Sequence, residues 1–488
     1  MGEYLNYING KWVKSGSGQT FESLNPATER PIGKFQKSDR EDIRRAVAVA
    51  KKAFPSWRGT PAPERAKYLW KIRDLLIDNK KRLARLEVLE MGKVISEARG
   101  DVQEAIDIFE YMAGEGRRLF GHTTKSELRD KFAMTVRNPI GVVGLVTPWN
   151  FPIAIPAWKL APALICGNTI VFKPSSDTPL CAIELIKLIE KSGVPKGVVN
   201  LVTGSGDDVG AEIIENPEVR GISFTGSKRT GESILRSAGV KKVGLELGGK
   251  NVIIVMDDAN LELAVSGVVW GAFGTTGQRC TATSRVIVHK KVRKKFEKML
   301  IDRTRKLKLG KGDEKGTDVG PLINKSAVEK TETYVSFGIS EGARLLHGGK
   351  AVKIRGKGYF FQPTIFTDCK PEMKICQEEI FGPVLAIIEA RDFDEAVKIA
   401  NGVEYGLSSA VYTENMNLAF RAINELESGL TYINSSTIGS EVHLPFGGVK
   451  GTGNGTREAG ILGIEEFSET KTVYFDYSGK LQKAQGIE

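Results

Sequence analysis

Cys280 stands near the end of the stretch Gly274-Thr275-Thr276-Gly277-Gln278-Arg279-Cys280-Thr281. Small residues here bring the backbone round tightly to a single thiol. Such a turn can expose the sulfur and aim peptide N–H groups at whatever the sulfur attacks. Upstream, Leu245-Glu246-Leu247-Gly248-Gly249-Lys250 sets a carboxylate between two apolar residues and beside paired glycines. A thiolate nucleophile with a nearby carboxylate base is a recognisable division of labour. The expectation is that the two stretches meet in one active site.

The other candidates are weaker. Cys166 and Cys181 lie in apolar helical contexts and read as small buried hydrophobes, while Cys369 and Cys376 flank a charged loop without a local signature. Arg279, next to Cys280, would favour the thiolate. None of the four histidines sits in a context suited to a Cys–His hydrolase. Five cysteines with no CxxC argue against a disulfide framework or a metal site, and for free thiols in a reducing, cytoplasmic setting. The start, Met1-Gly2-Glu3-Tyr4-Leu5-Asn6, lacks the regions of a secretory signal, and no apolar run reaches membrane-spanning length. No membrane partner is therefore expected. The net charge of +11 is spread along the chain and interleaved with acids, as in Lys294-Lys295-Phe296-Glu297-Lys298. That pattern excludes a nucleic-acid partner and suits attraction of anionic small molecules. Scarce glutamine and abundant charge fit a thermophilic source.

The 488 residues call for two or three domains. Residues 1–37 read as short strands with Asn9-Gly10 as a hairpin turn. Ser38-Asp39-Arg40-Glu41 reads as a capping box for a helix that stops at Pro55, and amphipathic helices follow at about 62–90 and 95–118. Residues 120–139 read as a peripheral hairpin whose edges need partners. From 140 to 256, strands at Gly141–Val146, Thr169–Phe172, Val198–Val202, Ile222–Phe224 and Val252–Val255 alternate with helices. This is the pattern of an α/β, doubly wound parallel sheet, which binds ligands at the C-terminal ends of its strands. Those ends carry Thr147-Pro148-Trp149-Asn150, Lys173-Pro174-Ser175-Ser176, Gly204-Ser205-Gly206 and Thr225-Gly226-Ser227. The last opens a helix, a possible phosphate site; a standard dinucleotide fingerprint is absent. Residues 257–435 repeat the alternation on a second core, and Thr470–Tyr477 is a strand that would be an exposed edge in a monomer.

Taken together, Pro148-Trp149-Asn150-Phe151-Pro152, Phe224-Thr225-Gly226-Ser227, Leu245–Lys250, Gly277-Gln278-Arg279-Cys280, Glu379-Ile380-Phe381-Gly382-Pro383 and Pro445-Phe446-Gly447-Gly448 resemble the NAD(P)-dependent aldehyde dehydrogenases, from about residue 6 to 478. The resemblance implies an α/β, aldehyde-dehydrogenase-like fold: a variant Rossmann cofactor domain, an α/β catalytic domain and a small β oligomerisation arm. The expected bounds are 1–119 and 140–248 with a return segment 448–466 for the first, 249–447 for the second, and 120–139 with 467–488 for the arm. It also implies self-association as a dimer or tetramer, with a homotetramer expected.

By the same resemblance, Cys280 is the nucleophile, and Asn150 with the Cys280 N–H forms the oxyanion hole. Glu246 activates water to hydrolyse a thioester, so the product is an acid. Lys159 matches a lysine of the proton path. Lys173 and Glu379 match residues holding the two riboses, and Phe381 packs near the nicotinamide. Thr147, Pro148, Trp149, Ser175, Gly206, Phe224, Gly226, Ser227, Leu247 and Gly248 match the remaining cofactor wall. NAD users of the family commonly carry a glutamate where this chain has Ser176. NADP is therefore expected as the preferred cofactor, with NAD usable. The small-molecule partner is an aldehyde, either a semialdehyde or a simple aliphatic or aromatic one. Arg279 has two readings: it pairs with a substrate carboxylate, or it faces into the protein. A non-catalytic structural relative would be expected to lack Cys280, Glu246 or Asn150, and all three are present.

Overall fold

Short runs of consecutive buried residues build two seven-stranded sheets in the computed structural model, which describes residues 2–486. Residues 1, 487 and 488, at the outer edges of the expected cofactor domain and arm, lie outside the described residues. In the first sheet the strands run Lys242–Glu246, Val219–Thr225, Val142–Val146, Thr169–Lys173 and Val199–Leu201, all parallel. The hairpin Asn6–Ile8 and Lys11–Val13 extends this sheet antiparallel. Asn9 and Gly10 take φ of 54° and 71°, the left-handed pair that a two-residue turn needs. Successive strand residues point to opposite faces. Ile170 and Phe172 pack with the long helices Ala62–Met91 and Ile95–Glu115, and Val171 packs with the helix Arg40–Gly59.

The second sheet orders Arg344–His347, Thr364–Thr367, Val384–Ala390, Thr283–His289, Asn251–Val255, Ser408–Tyr412 and Leu430–Ile433. Its first strand alone is antiparallel to its neighbour. Val252 and Ile254 serve one core, Ile253 and Val255 the other. A third, antiparallel sheet pairs Ser468–Asp476 with Lys131–Pro139 and then Thr123–Lys125. It leaves Phe132, Tyr474 and Phe475 exposed.

Three expectations need correction. The strand at Val252–Val255 belongs to the second sheet, and the first is completed by Lys242–Glu246, whose lone Lys-Val-Gly-Leu-Glu pattern is too short to stand out. The first helix does not stop at Pro55 but runs to Gly59. Lys51, four residues earlier, is exposed, so its carbonyl can turn to water instead of to the missing proline N–H. The capping box is Asp39 with Asp42, one residue on from the expected pair. Ser38 is buried and its hydroxyl accepts from Asn6 Nδ2 at 2.8 Å.

Among the described residues, no helix is long and apolar enough to cross a membrane. The C-terminal ends of the first sheet's parallel strands face the turn that precedes Thr283–His289 of the second. The candidate site lies at that seam.

Candidate active site

The helix Leu261–Phe273 ends in a single tight turn, Gly274–Gly277, which hands the chain to Cys280. Thr275, Thr276 and Gly277 all have positive φ, at 50°, 59° and 69°. A Cβ on Gly277 would lie 2.3 Å from the Gly382 carbonyl oxygen, so only glycine fits. The turn is tied from several sides. Thr276 Oγ1 donates to Gly320 O at 3.0 Å, and Gln278 Nε2 donates to Thr275 O at 3.2 Å while its Oε1 accepts from Ile323 N. Asn251 Nδ2 donates to both Cys280 O and Ala282 O, at 2.7 and 2.9 Å. The two stretches singled out in the sequence therefore touch: the Gly249 Cα stands where a Cβ would come within 2.6 Å of Cys280 O.

Of the five cysteines, four are buried and Cys280 alone is partly accessible. It lies on the walls of two cavities. One, of about 750 Å³, is lined by Glu246, Phe151, Trp158, Trp270, Phe446 and the loop from Gly439 to His443. The other, of about 300 Å³, is lined by Pro148, Trp149, Asn150, Gly226, Ser227, Leu247, Gly248, Glu379 and Phe381. Thr225 and Ile155 also belong to both. Asn150 is buried, with Nδ2 donating to Gln278 O at 3.0 Å. Its amide is thereby fixed beside the nucleophile turn.

Glu246 ends its strand in a buried position, and the return segment closes over it. Gly453 bridges to Glu246, Leu247 N donates to Thr452 O at 2.7 Å, and a Cβ on Gly447 would meet Glu246 Oε1 at 2.5 Å. Its Oε2 is buried without a hydrogen-bond partner. Burial first, then the nearby Glu458 carboxylate, push its pKa well above the usual range, opposed by Lys159. Lys159 is fully buried, paired with Glu458 and donating to Ser223 Oγ at 2.7 Å. Glu466, beyond it, is raised to about 7 by burial and by Glu458. This is a buried carboxylate cluster around one ammonium, suited to holding and passing protons.

The smaller cavity carries one carboxylate, one lysine and the start of a helix on its wall. Glu379 accepts from Gly249 N at 3.0 Å, and a Cβ on Gly248 would fall 2.3 Å from its Oε2, so glycine here makes room for the carboxylate. Trp149 and Phe381 meet edge to face with centroids 5.4 Å apart. Ser227 caps the helix Lys228–Ser237 by accepting from Thr230 N, leaving that helix start at the cavity wall. Further along the strand ends, Thr147 N donates to Lys173 O at 3.2 Å, and Ser176 Oγ donates to Gly204 O at 3.0 Å. Lys173 is buried with Nζ donating to Pro174 O, and burial lowers its pKa to about 8.

The sequence profile of the Aldehyde dehydrogenase family matches residues 12–473. The chain belongs to that family. It is an enzyme that oxidises an aldehyde to the acid. It is 43% identical over 477 residues to the alpha-ketoglutaric semialdehyde dehydrogenase of Bacillus subtilis, covering 96% of this chain and 98% of that one. It is 44% identical over 481 residues to the alpha-ketoglutarate semialdehyde dehydrogenase of Haloferax volcanii, covering 97% and 99%. Among solved structures, betaine aldehyde dehydrogenase of Staphylococcus aureus in complex with NAD+ superposes with a TM-score of 0.96 at 37% identity, covering 99% of this chain and 97% of that one.

Within this aldehyde dehydrogenase, Cys280, Glu246, Asn150, Pro148, Trp149, Gly226, Ser227, Leu247, Gly248, Glu379 and Phe381 converge on the two cavities. Lys159 sits behind Glu246 and not on a cavity wall. Thr147, Lys173, Ser175, Ser176 and Gly206 line neither cavity but cluster at the adjoining strand ends. Phe224 is a core residue whose ring backs Gly226. Arg279 pairs with Glu97 at 3.2 Å and lies 5.1 Å from the Phe151 ring centre, while burial and the Glu246 and Glu379 carboxylates push the Cys280 thiol up. Glu458, on the larger cavity's wall, and Lys330, on the smaller one's, escaped the sequence reading because neither sits in a local pattern that marks it.

Proposed function

We propose that the enzyme oxidises a semialdehyde, an aldehyde bearing a distal carboxylate, through a Cys280 thiohemiacetal and thioester. The observation that carries this reading is the place of Cys280 on the shared wall of two cavities, with Glu246 in one and Glu379 and Phe381 in the other. The aldehyde enters the larger cavity, the Cys280 thiol gives its proton to solvent, and the sulfur bonds to the carbonyl carbon as the C=O electron pair moves to oxygen. The oxyanion is held by the Asn150 amide and the Cys280 N–H. NAD(P), when bound in the smaller cavity, supplies the hydride acceptor. Glu246 then takes a proton from water, the water oxygen bonds to the acyl carbon, and the C–S bond breaks to release the acid. The Glu458 carboxylate, held by Lys159 behind Glu246, takes that proton from Glu246 and resets the base.

The semialdehyde reading is supported by the two relatives named above and by Arg279, the one arginine or lysine lining the larger cavity among the described residues. Its Nε and Nη2 are engaged by Thr275 and Glu97, which leaves the Nη1 edge for a substrate carboxylate. A panel of aldehydes ranked by kcat/KM tests this. Five-carbon semialdehydes should lead neutral aldehydes of equal length by at least tenfold; equal or reversed ranking assigns the site to simple aliphatic or aromatic aldehydes.

NADP is read as the preferred cofactor and NAD as usable. The position that would carry a ribose-binding glutamate is Ser176, and Lys173 lies at the end of the same strand. Asp177 is turned to Asn324 Nδ2 at 3.2 Å, while Lys228 is engaged by Glu404 at 2.5 Å and so lends no free charge to a phosphate. Sparing a 2′-phosphate one like charge at ~4 Å is worth about 1–4 kcal/mol, or roughly fivefold to nearly a thousandfold. Ser176→Glu should lower kcat/KM for NADP selectively. Equal loss with both cofactors removes this position from the argument.

The three-domain division given above is retained, supported by the two large sheets and the small one. The exposed edge strand Ser468–Asp476, which carries Tyr474 and Phe475, is read as pairing between subunits of a cytoplasmic homotetramer. A chain ended before Thr470 should elute as a smaller species in size-exclusion chromatography; an unchanged volume with full solubility counts against the arm.

A further inference from the structure

The Cys280 turn holds two β-branched residues, Thr275 and Thr276, in the left-handed region, where such residues are outliers. That backbone persists only if its surroundings over-determine it. The most concentrated restraint comes from a residue far away in the chain. Glu97, in the first turn of the helix Ile95–Glu115, presents its carboxylate to the whole turn. Both oxygens accept from Thr275 N, each at 2.9 Å, and Oε2 accepts from Thr275 Oγ1 at 3.3 Å. Oε1 also accepts from Arg279 Nη2 at 3.2 Å, and Arg279 Nε donates to Thr275 Oγ1 at 2.8 Å. One carboxylate thus ties the start of the strained turn to the residue immediately before the nucleophile. Both side chains are largely buried, so solvent screens the pair little.

We infer that Glu97 is a positioning residue for the nucleophile: it holds Cys280 where it can face both cavities, and it does so through Thr275 and Arg279 without touching the reacting atoms. The same contacts pair Arg279 Nη2 with Glu97 and leave the guanidinium carbon 5.1 Å from the Phe151 ring centre. The inference rests on Cys280 being the nucleophile.

The test compares the parent enzyme, Glu97→Gln and Glu97→Ala by two readouts. One is the rate of NAD(P)H formation in a single turnover, with enzyme in excess over aldehyde. The other needs no cofactor: the rate of Cys280 alkylation by iodoacetamide, which reports this thiol because the other four are buried. Glu97→Ala should slow both at least tenfold while the KM for cofactor stays within twofold. Glu97→Gln keeps an acceptor oxygen for Thr275 N but loses the ion pair, and should fall between, three- to fivefold below the parent. If both variants stay within threefold of the parent in both readouts, the inference is wrong. Should Glu97→Ala fail to fold, Glu97→Gln decides by the same threefold line. A Cys280→Ala variant that still forms NAD(P)H at the parent rate overturns the underlying reading of Cys280 and not the role of Glu97 alone.

Discussion

Cys280→Ala loses dehydrogenase and ester-hydrolysing activity together, each on the order of 10⁴-fold or more, the scale seen when a nucleophile is removed from a machinery that acts as a unit. The structural reason is that no second thiol can substitute. Cys166, Cys181, Cys369 and Cys376 are buried in the cores, and burial pushes the Cys166 thiol up to about 12. Cys280 is the point where the two cavities meet, so among the described residues its thiol is the one that lines the larger cavity. The alanine removes a small, partly exposed group from a turn held by its neighbours, so the fold should survive. NAD(P)H absorbance with an aldehyde and release of nitrophenol from an ester measure the two activities, and the thermal midpoint checks the fold. Ester turnover retained in the variant would place the nucleophile on another residue.

Much of the architecture was legible because it follows from local rules. The Asn9-Gly10 turn, the short apolar run Ile170-Val171-Phe172, and the long amphipathic helices each declare themselves within a short window. The convergence of Cys280 and Glu246 was legible for another reason: glycines beside both residues signal close backbone approach, and Gly249 indeed abuts Cys280 O. What was not legible depends on contacts between distant segments. Arg279 beside a cysteine suggests thiolate stabilisation, but Glu97 claims the arginine, and no spacing rule links those positions. Glu458 reaches Lys159 only because the return segment folds back over the first sheet. The shifted capping box has the same origin, since Ser38 is engaged by Asn6. Local propensity assigned elements; tertiary competition for the same polar atoms decided which side chains were free to act.

Glu246→Gln should leave acylation and abolish rapid turnover. Rapid mixing with aldehyde and cofactor should give a burst of NAD(P)H close to one equivalent per site, followed by a steady state slower by about 10²–10⁴, the usual contribution of a positioned base. The burst survives because Cys280 and Asn150 are untouched; the slow phase appears because glutamine cannot accept a proton from water. The pH dependence adds a sign. Burial and Glu458 raise the Glu246 pKa well above the ordinary carboxylate range, so at low pH the carboxyl carries its proton and cannot act as a base. In the parent enzyme the deacylation rate should therefore rise with pH through a midpoint well above that range and then level off. In Glu246→Gln the residual rate should lack that limb. A parental limb persisting in the variant would assign the titration to another group of the buried cluster, for which Glu466, near 7, is the first candidate. Loss of the burst itself would move Glu246 to the earlier step. There the Cys280 thiol, pushed up by burial and by Glu246 and Glu379, must give up its proton before it can attack.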